Sequence, residues 1–371
     1  MNFTLSEDNE ALREAARVFL NKEVSLAPLL VPGATVEAAG YDALWAKITE
    51  MGWPGVVVPE AYGGLGLTYL DLIMIVGELG RTLAPCPMFG VLAGAWAIER
   101  AGSETQKQTL LAAVAEGRLK LALAVADRAG AYDDRSTAPV VVADGDRHRL
   151  TGERRFVVDA ASADKLVVSA TLDGAGRYFL VDAKASGVKV DLLAWRDITR
   201  QVCTVRLDGA PAELLSGDHG EVWPWIRDRL YLLLATESAA VARFALDDAV
   251  AYAKERVAFG RPIGAFQAIK HQLAELAGQA ECAAVAAQYA AWTVGADDPR
   301  APLACAMAQS WASEAAKDAT HRNVQVFGAI GFSWEMKNHL YYKRARANFE
   351  LLGAPHLQRE EVVRILEREA A

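Results

Sequence analysis

The sequence predicts an α+β chain that is mostly helical. An N-terminal helical domain precedes a middle antiparallel β-barrel or sandwich, and a C-terminal four-helix bundle follows. Three observations carry this. Helical apolar spacing runs from Leu5 to about Gly117. Short β-rich runs separated by Asp- and Gly-containing turns fill Leu119 to about Leu215. Long segments of helical period then return from about Val222. The expected boundaries are 1–118, 119–218 and 219–371.

Each element has a local reason. Ser6, with Asn9-Glu10 close behind, starts the first helix. Tyr69–Arg81 and Glu104–Glu116 repeat its period, and Pro54-Gly55, Pro59 and YGGLGL at Tyr62–Leu67 make a turn-rich connection between them. The strand candidates are LALAVA, PVVVA, HRLTG, RFVVD, KLVVSA, RYFLVDA, VKVDLL and QVCTVRLDG. The bundle is expected from Arg227–Arg256, Phe266–Val294, Pro302–Phe327 and Glu335–Leu352.

Composition narrows the function. Among 371 residues, 52% are hydrophobic and 23% charged, which fits a globular chain with a large core. A net charge of -8 and the lack of a basic tract argue against nucleic acid. The run Lys343-Arg344-Ala345-Arg346 reads as a solvated helix end. No apolar run is long enough for a membrane span, and there is no signal-peptide core. Cys86, Cys203, Cys282 and Cys305 lack metal spacing and suit a reducing cytoplasm. No G-x-G-x-x-G follows a strand, so a Rossmann domain is not expected.

The segment Arg256–Leu273, RVAFGRPIGAFQAIKHQL, is the richest in chemistry. An Arg, a Phe-Gly turn, a helix-stopping Pro and a second helix opening at Phe266-Gln267 suit a clamp on a flat, phosphate-bearing cofactor. With PEAYGGLGL at Pro59–Leu67, ELGRTLAP at Glu78–Pro85 and QVFGAIGFSWE at Gln325–Glu335, it resembles the acyl-CoA dehydrogenase flavoproteins over essentially the whole chain. The ending NHLYYKRARANFELLGAPHLQRE resembles an actinobacterial-type branch acting on bulky or sterol side-chain acyl-CoAs.

The resemblance implies FAD at a subunit interface, an acyl-CoA substrate, reoxidation by an electron-transfer flavoprotein, and a tetramer. That tetramer is either a homotetramer or an α2β2 heterotetramer with a related dehydrogenase subunit. Arg256 and Phe259 match positions that reach a neighbouring subunit's FAD, Gln267 lies in the same contact region, and Gln325, Gly328 and Gly331 match a segment whose small residues let backbone approach the cofactor. Phe156, in Phe156-Val157-Val158, stands where the family has a Trp-Ile-Thr run covering the flavin, so the hydroxyl near N5 is lost. Arg229 is a candidate for the acyl-CoA phosphates.

The base is the largest departure. Desaturating a thioester needs a carboxylate at the α-proton while hydride leaves the β-carbon for flavin N5. The family's usual Glu position is Leu352, and the position used by another branch is Leu230. Glu237 lies seven residues after Leu230, two helical turns along the same face, in an apolar run. It is the candidate base, with an ion pair to an Arg from another helix as the competing role. Two functions follow: a dehydrogenase using Glu237, or a non-catalytic partner subunit giving FAD contacts in trans.

Overall fold

The computed structural model describes residues 5–132, 139–144, 147–218 and 221–370. Five helices come first: α1 (Glu7–Glu23), α2 (Tyr41–Glu50), α3 (Tyr69–Thr82), α4 (Met88–Ala101) and α5 (Glu104–Ala115). The Ser6 start is a capping box, in which the Asn9 N–H donates to Ser6 Oγ and the Ser6 N–H to Asn9 Oδ1. The ELGR motif ties helices together. Glu78 on α3 is buried and accepts from Arg17 of α1 at 2.7 and 3.1 Å.

PEAYGGLGL also has a structural role. Its chain doubles back, with the Leu65 N–H on the Gly55 carbonyl and the Leu67 N–H on that of Val56. A Cβ at Gly64 would lie 2.0 Å from the Val58 oxygen, so only glycine fits.

The seven strands that follow are β1 (Leu121–Ala124), β2 (Val140–Asp144), β3 (Arg147–Val158), β4 (Lys165–Leu172), β5 (Ala175–Asp182), β6 (Val188–Leu192) and β7 (Val202–Leu214). Pairings β4–β2–β3–β7–β5–β4 close a ring, with β1 beside β4 and β6 beside β7. The expected barrel is therefore present, though not wholly antiparallel: β1–β4 and the single β2–β4 pair are parallel. Leu150, Leu166, Val168, Phe179, Cys203 and Val205 fill it.

The last region is α6 (Val222–Glu255), the hairpin β8–β9 (Val257–Ala258, Arg261–Pro262), α7 (Gln267–Gly295), α8 (Ala301–Phe327), α9 (Asn338–Glu350) and α10 (Pro355–Ala370). The four expected helices are there, and α6 begins five residues earlier than its periodicity suggested. A fifth, α10, packs on α8; its buried side is narrow, only Pro355 and Gln358, so apolar spacing did not announce it. Among the described residues no helix is long and apolar enough to cross a membrane, and no cluster of His, Cys, Asp and Glu suits a metal ion.

Helix α4 couples the first two regions. A Cβ at Gly94 would lie 2.4 Å from the Leu121 Cβ, and one at Gly90 would lie 3.0 Å from the Val158 carbonyl oxygen. Glycine lets α4 lie directly on the barrel and carries Phe89 to the junction. Gly94→Ala should overpack this contact and destabilise the chain by about 1–3 kcal/mol. The check is the midpoint of thermal or urea unfolding; a gain, as helix propensity alone would give, would refute the tight seat.

Candidate active site and cofactor surface

Helix α6 runs through the middle of the molecule, and its stretch from Asp228 to Ala239 is buried without a break. A carboxylate placed there needs compensation. Glu237 receives it from three directions. The Arg200 guanidinium, from the loop before β7, donates to both oxygens at 2.7 and 2.8 Å. Arg344 of α9 donates at 2.7 Å, and the Asn348 amide, one turn further along α9, at 2.9 Å.

Arg344 is itself shared. Its remaining donors go to Asp197 and to Thr199 Oγ1. Two guanidiniums and two carboxylates thus form a neutral buried lattice. Arg344, expected at a solvated helix end, is 2% exposed, because position 344 faces the barrel loop while Arg346 faces solvent.

This lattice fixes the protonation of Glu237. Burial alone would push its carboxyl up, but Arg200 and Arg344 outweigh burial and hold it at about 2. A general base works best with a pKa near the operating pH, so an acid held this low is a weak proton acceptor. The arrangement matches the ion-pair role weighed for Glu237 rather than that of a raised carboxyl. Asp159 nearby goes the other way. Burial lifts it to about 6, although Arg200, the Gly90 N–H and the Tyr41 hydroxyl favour its ionised form.

Two small cavities flank Phe89. One is lined by Phe156, Val158, Tyr132, Trp223, Leu230 and Leu352, among others, and has about 20 Å³ of free volume, room for one water. It thus brings together Phe156 and the two positions where the family keeps a base. Among the described residues the lining holds no carboxylate, and the Tyr132 hydroxyl there is pushed up by burial. Glu237 opens instead onto the second cavity, with Cys86, Thr199, Arg200 and Arg344, on the other side of Phe89. Arg200 stacks over the Phe89 ring, 5.1 Å from its centroid, and so helps hold that partition.

Phe156 owes its orientation to a bulge. The β3–β7 register shifts between Arg154 and Val157, and Phe156 takes a φ of 53°. Its ring lies 6.3 Å from Trp195 and against Gly130.

The remaining cofactor candidates lie elsewhere. Arg256 caps α6, and Phe259 stands at the tip of the β8–β9 hairpin, 95% exposed with a φ of 52°. Gln267 opens α7, and Gln325 and Gly328 end α8; all three are exposed. Gly331 is buried in the turn Gly328–Phe332, where a Cβ would lie 2.8 Å from the Val324 carbonyl oxygen. Arg256, Gln267 and Gln325 have no side-chain partner among the described residues, so their donors are available to a phosphate or an amide-like ring edge. A cation and amide donors are the chemistry a diphosphate-bearing flavin would need.

Arg229 does not join them. It is 7% exposed, donates to Tyr69 Oη at 2.8 Å and to the Trp225 carbonyl at 3.1 Å, and stacks on Trp225. Its expected place at acyl-CoA phosphates is replaced by an internal aromatic seat. Sequence reasoning missed Arg200, Asn348 and Asp197. The usable signal was Arg344 and Asn348 at i, i+4 on a helix read as polar.

Helices at both ends, a closed barrel between them and an exposed hairpin make up the architecture that the family resemblance implies. Residues 6–118 match the family description "Acyl-CoA dehydrogenase, N-terminal domain", and residues 229–367 match "Acyl-CoA dehydrogenase, C-terminal domain". The acyl-CoA dehydrogenase IpdE2 of Mycobacterium tuberculosis is 34% identical over 99% of this chain and 98% of its own. Among solved structures, the ChsE4-ChsE5 complex of M. tuberculosis superposes with a TM-score of 0.88 at 28% identity, covering 99% of both chains. A variant of the Tcur3481-Tcur3483 steroid ACAD does so with 0.86 at 30% identity, again over 99% of both. The chain belongs to the acyl-CoA dehydrogenase family of FAD-dependent oxidoreductases.

Removing Glu237 should expose the lattice. Glu237→Ala leaves Arg200 without its acid and Arg344 with Asp197 alone, one positive charge in excess, and should cost about 3–5 kcal/mol. The pH dependence follows from the two shifts. Glu237 is depressed, so its contribution is complete above its ordinary 4.5 and is lost as pH falls towards about 2. Asp159 is raised, so stability rises as pH falls from about 6 to its ordinary 3.8. Urea midpoints between pH 7 and 2.5 should climb slightly and then drop. Glu237→Gln should lessen the drop, and Asp159→Asn the climb, to which Asp228, also lifted by burial to about 6, contributes as well.

Proposed function

We propose that this chain is the non-catalytic half of a heteromeric acyl-CoA dehydrogenase. It lends FAD contacts in trans to a related subunit that carries the base. One observation supports this above the others: Glu237, the carboxylate expected to take the α-proton, is committed to Arg200 and Arg344 and lines the other cavity rather than that of Leu230 and Leu352. The ChsE4-ChsE5 relative, described as a complex of two differently named chains, is in keeping with this.

In this reading the chain's own residues do three things. Arg256 and Gln325 supply a cation and amide donors at the interface, and Gly328 and Gly331 let backbone come close. Phe259, at its hairpin tip, supplies an apolar wall. FAD bound there supplies the hydride acceptor for the β-carbon, and an electron-transfer flavoprotein is the expected oxidant of the assembly. The partner must bring the carboxylate that takes the α-proton. An acyl-CoA with a bulky or sterol-type side chain is the expected substrate class.

The competing reading keeps Glu237 as a base acting on this chain's own substrate. It requires the carboxylate to leave two guanidiniums and to pass Phe89. Anaerobic titration separates the two. The chain purified alone with added FAD is mixed with short, long and sterol-type acyl-CoAs while flavin absorbance is followed. No bleaching is expected with any class. Bleaching that Glu237→Gln abolishes would overturn the proposal in favour of catalysis in cis.

A further inference from the structure

Lys343 of α9 is placed unlike a surface lysine. It forms no ion pair among the described residues, and its Nζ lies 3.1 Å from Nδ1 of His339, one turn earlier on the same helix. His339 is 2% exposed, and burial, with Lys343 beside it, holds its pKa down at about 4. The ring is therefore neutral at ordinary pH. Trp334, shortly before α9, braces both groups. Its ring meets His339 edge-on with centroids 4.8 Å apart, and Lys343 Nζ lies 4.6 Å from the Trp334 ring centroid.

What a lysine can do depends on its proton. A carboxylate partner would hold Lys343 as an ammonium, whereas a neutral imidazole adds no such attraction. Burial pushes its pKa below the ordinary 10.5; Asp197 opposes this and Arg196 reinforces it. Asp197 is already paired with Arg344. The face of Trp334 favours the charged form, but weakly, since that ring is 39% exposed. When Nδ1 of His339 accepts one amine N–H, the nitrogen lone pair points away from the ring. Lys343 is half-buried and borders the open cleft that Tyr342 also lines, so a solute reaches that lone pair.

We propose that Lys343 is an acylation site whose electrophile is an acyl-CoA thioester, the substrate class of the family. The amine nitrogen attacks the thioester carbonyl carbon; a C–N bond forms and the C–S bond breaks. The electron pair leaves on the CoA sulfur, which takes up the proton that the nitrogen loses. The products are the Lys343 amide and free CoA thiol, and nothing is oxidised or reduced. His339 is a positioning residue, because it aims the lone pair without touching the thioester. The site does not depend on which subunit carries the base of the dehydrogenation. Its amide product is uncharged, so acylation removes the cation that rests on Trp334, two residues beyond the turn Gly328–Phe332.

The test is incubation of the full-length chain with acetyl-CoA across a series of alkaline pH values, with each lysine followed by peptide mass spectrometry. Lys343 should react roughly tenfold faster than the exposed Lys254 and Lys270. Its rate should reach half-maximum below pH 10.5, the ordinary lysine value. His339→Glu supplies a carboxylate one turn before Lys343 and should slow the reaction roughly tenfold while moving the half-maximum up. Because position 339 is buried, circular dichroism verifies that this variant folds. Arg196→Gln alters an exposed side chain and should move rate and half-maximum in the same direction, by less. Lys343 reacting no faster than Lys254 and Lys270 would overturn the proposal. So would a half-maximum at or above 10.5, or folded variants that both react like the parent.

Discussion

The buried lattice of Glu237, Arg200, Arg344 and Asp197 is the constraint on which the rest of the molecule depends. Its members come from α6, the barrel loop and α9, and Arg200 also rests on Phe89 of α4. Every one of the three regions is therefore represented at a single charged point. Such ion pairs add little net stability compared with a well-packed apolar core, but breaking one side leaves an uncompensated charge. What the lattice supplies is a unique registration. Helix α9 can sit in only one rotation that satisfies Arg344 and Asn348 together, and that rotation presents Leu351 and Leu352 to the cavity beside Phe156.

Registration and catalysis compete for the same carboxylate. A proton acceptor must be left partly dissatisfied, whereas a structural anion must be saturated. Glu237 has two guanidiniums and an amide, which is saturation. The exposed Arg256 and Gln325 are the reverse case: polar side chains without partners among the described residues. The asymmetry between a satisfied interior and an unsatisfied exterior runs through the functional reading.

Much of this was legible in the sequence. Helical and strand periods located α1, α3, α5, the strands β1–β7 (with HRLTG and RFVVD joined in β3) and α6–α9, because those signals are local. Failures came where partners are distant in the chain. Glu237 meets Arg200 across 37 residues and Arg344 across 107, and no spacing rule reports such pairs. Arg344 was misread because three cations in four residues look solvated, yet a helix points neighbours in different directions. The internal seat of Arg229 was not legible, since its partner Tyr69 is 160 residues away. The bulge that turns Phe156 depends on register with β7, and α10 on a binding face too narrow for a periodic signal.

The neutrality of the lattice also bears on how such chains diverge. A single exchange at Glu237, Arg200, Arg344 or Asp197 strands a charge inside the protein, so drift at these positions is confined to concerted changes. Across relatives the four sites should covary as a block, while Leu230 and Leu352, facing a plain apolar space, are free to change singly. A carboxylate would enter that apolar space most simply by replacing one of those leucines, leaving Glu237 where it is.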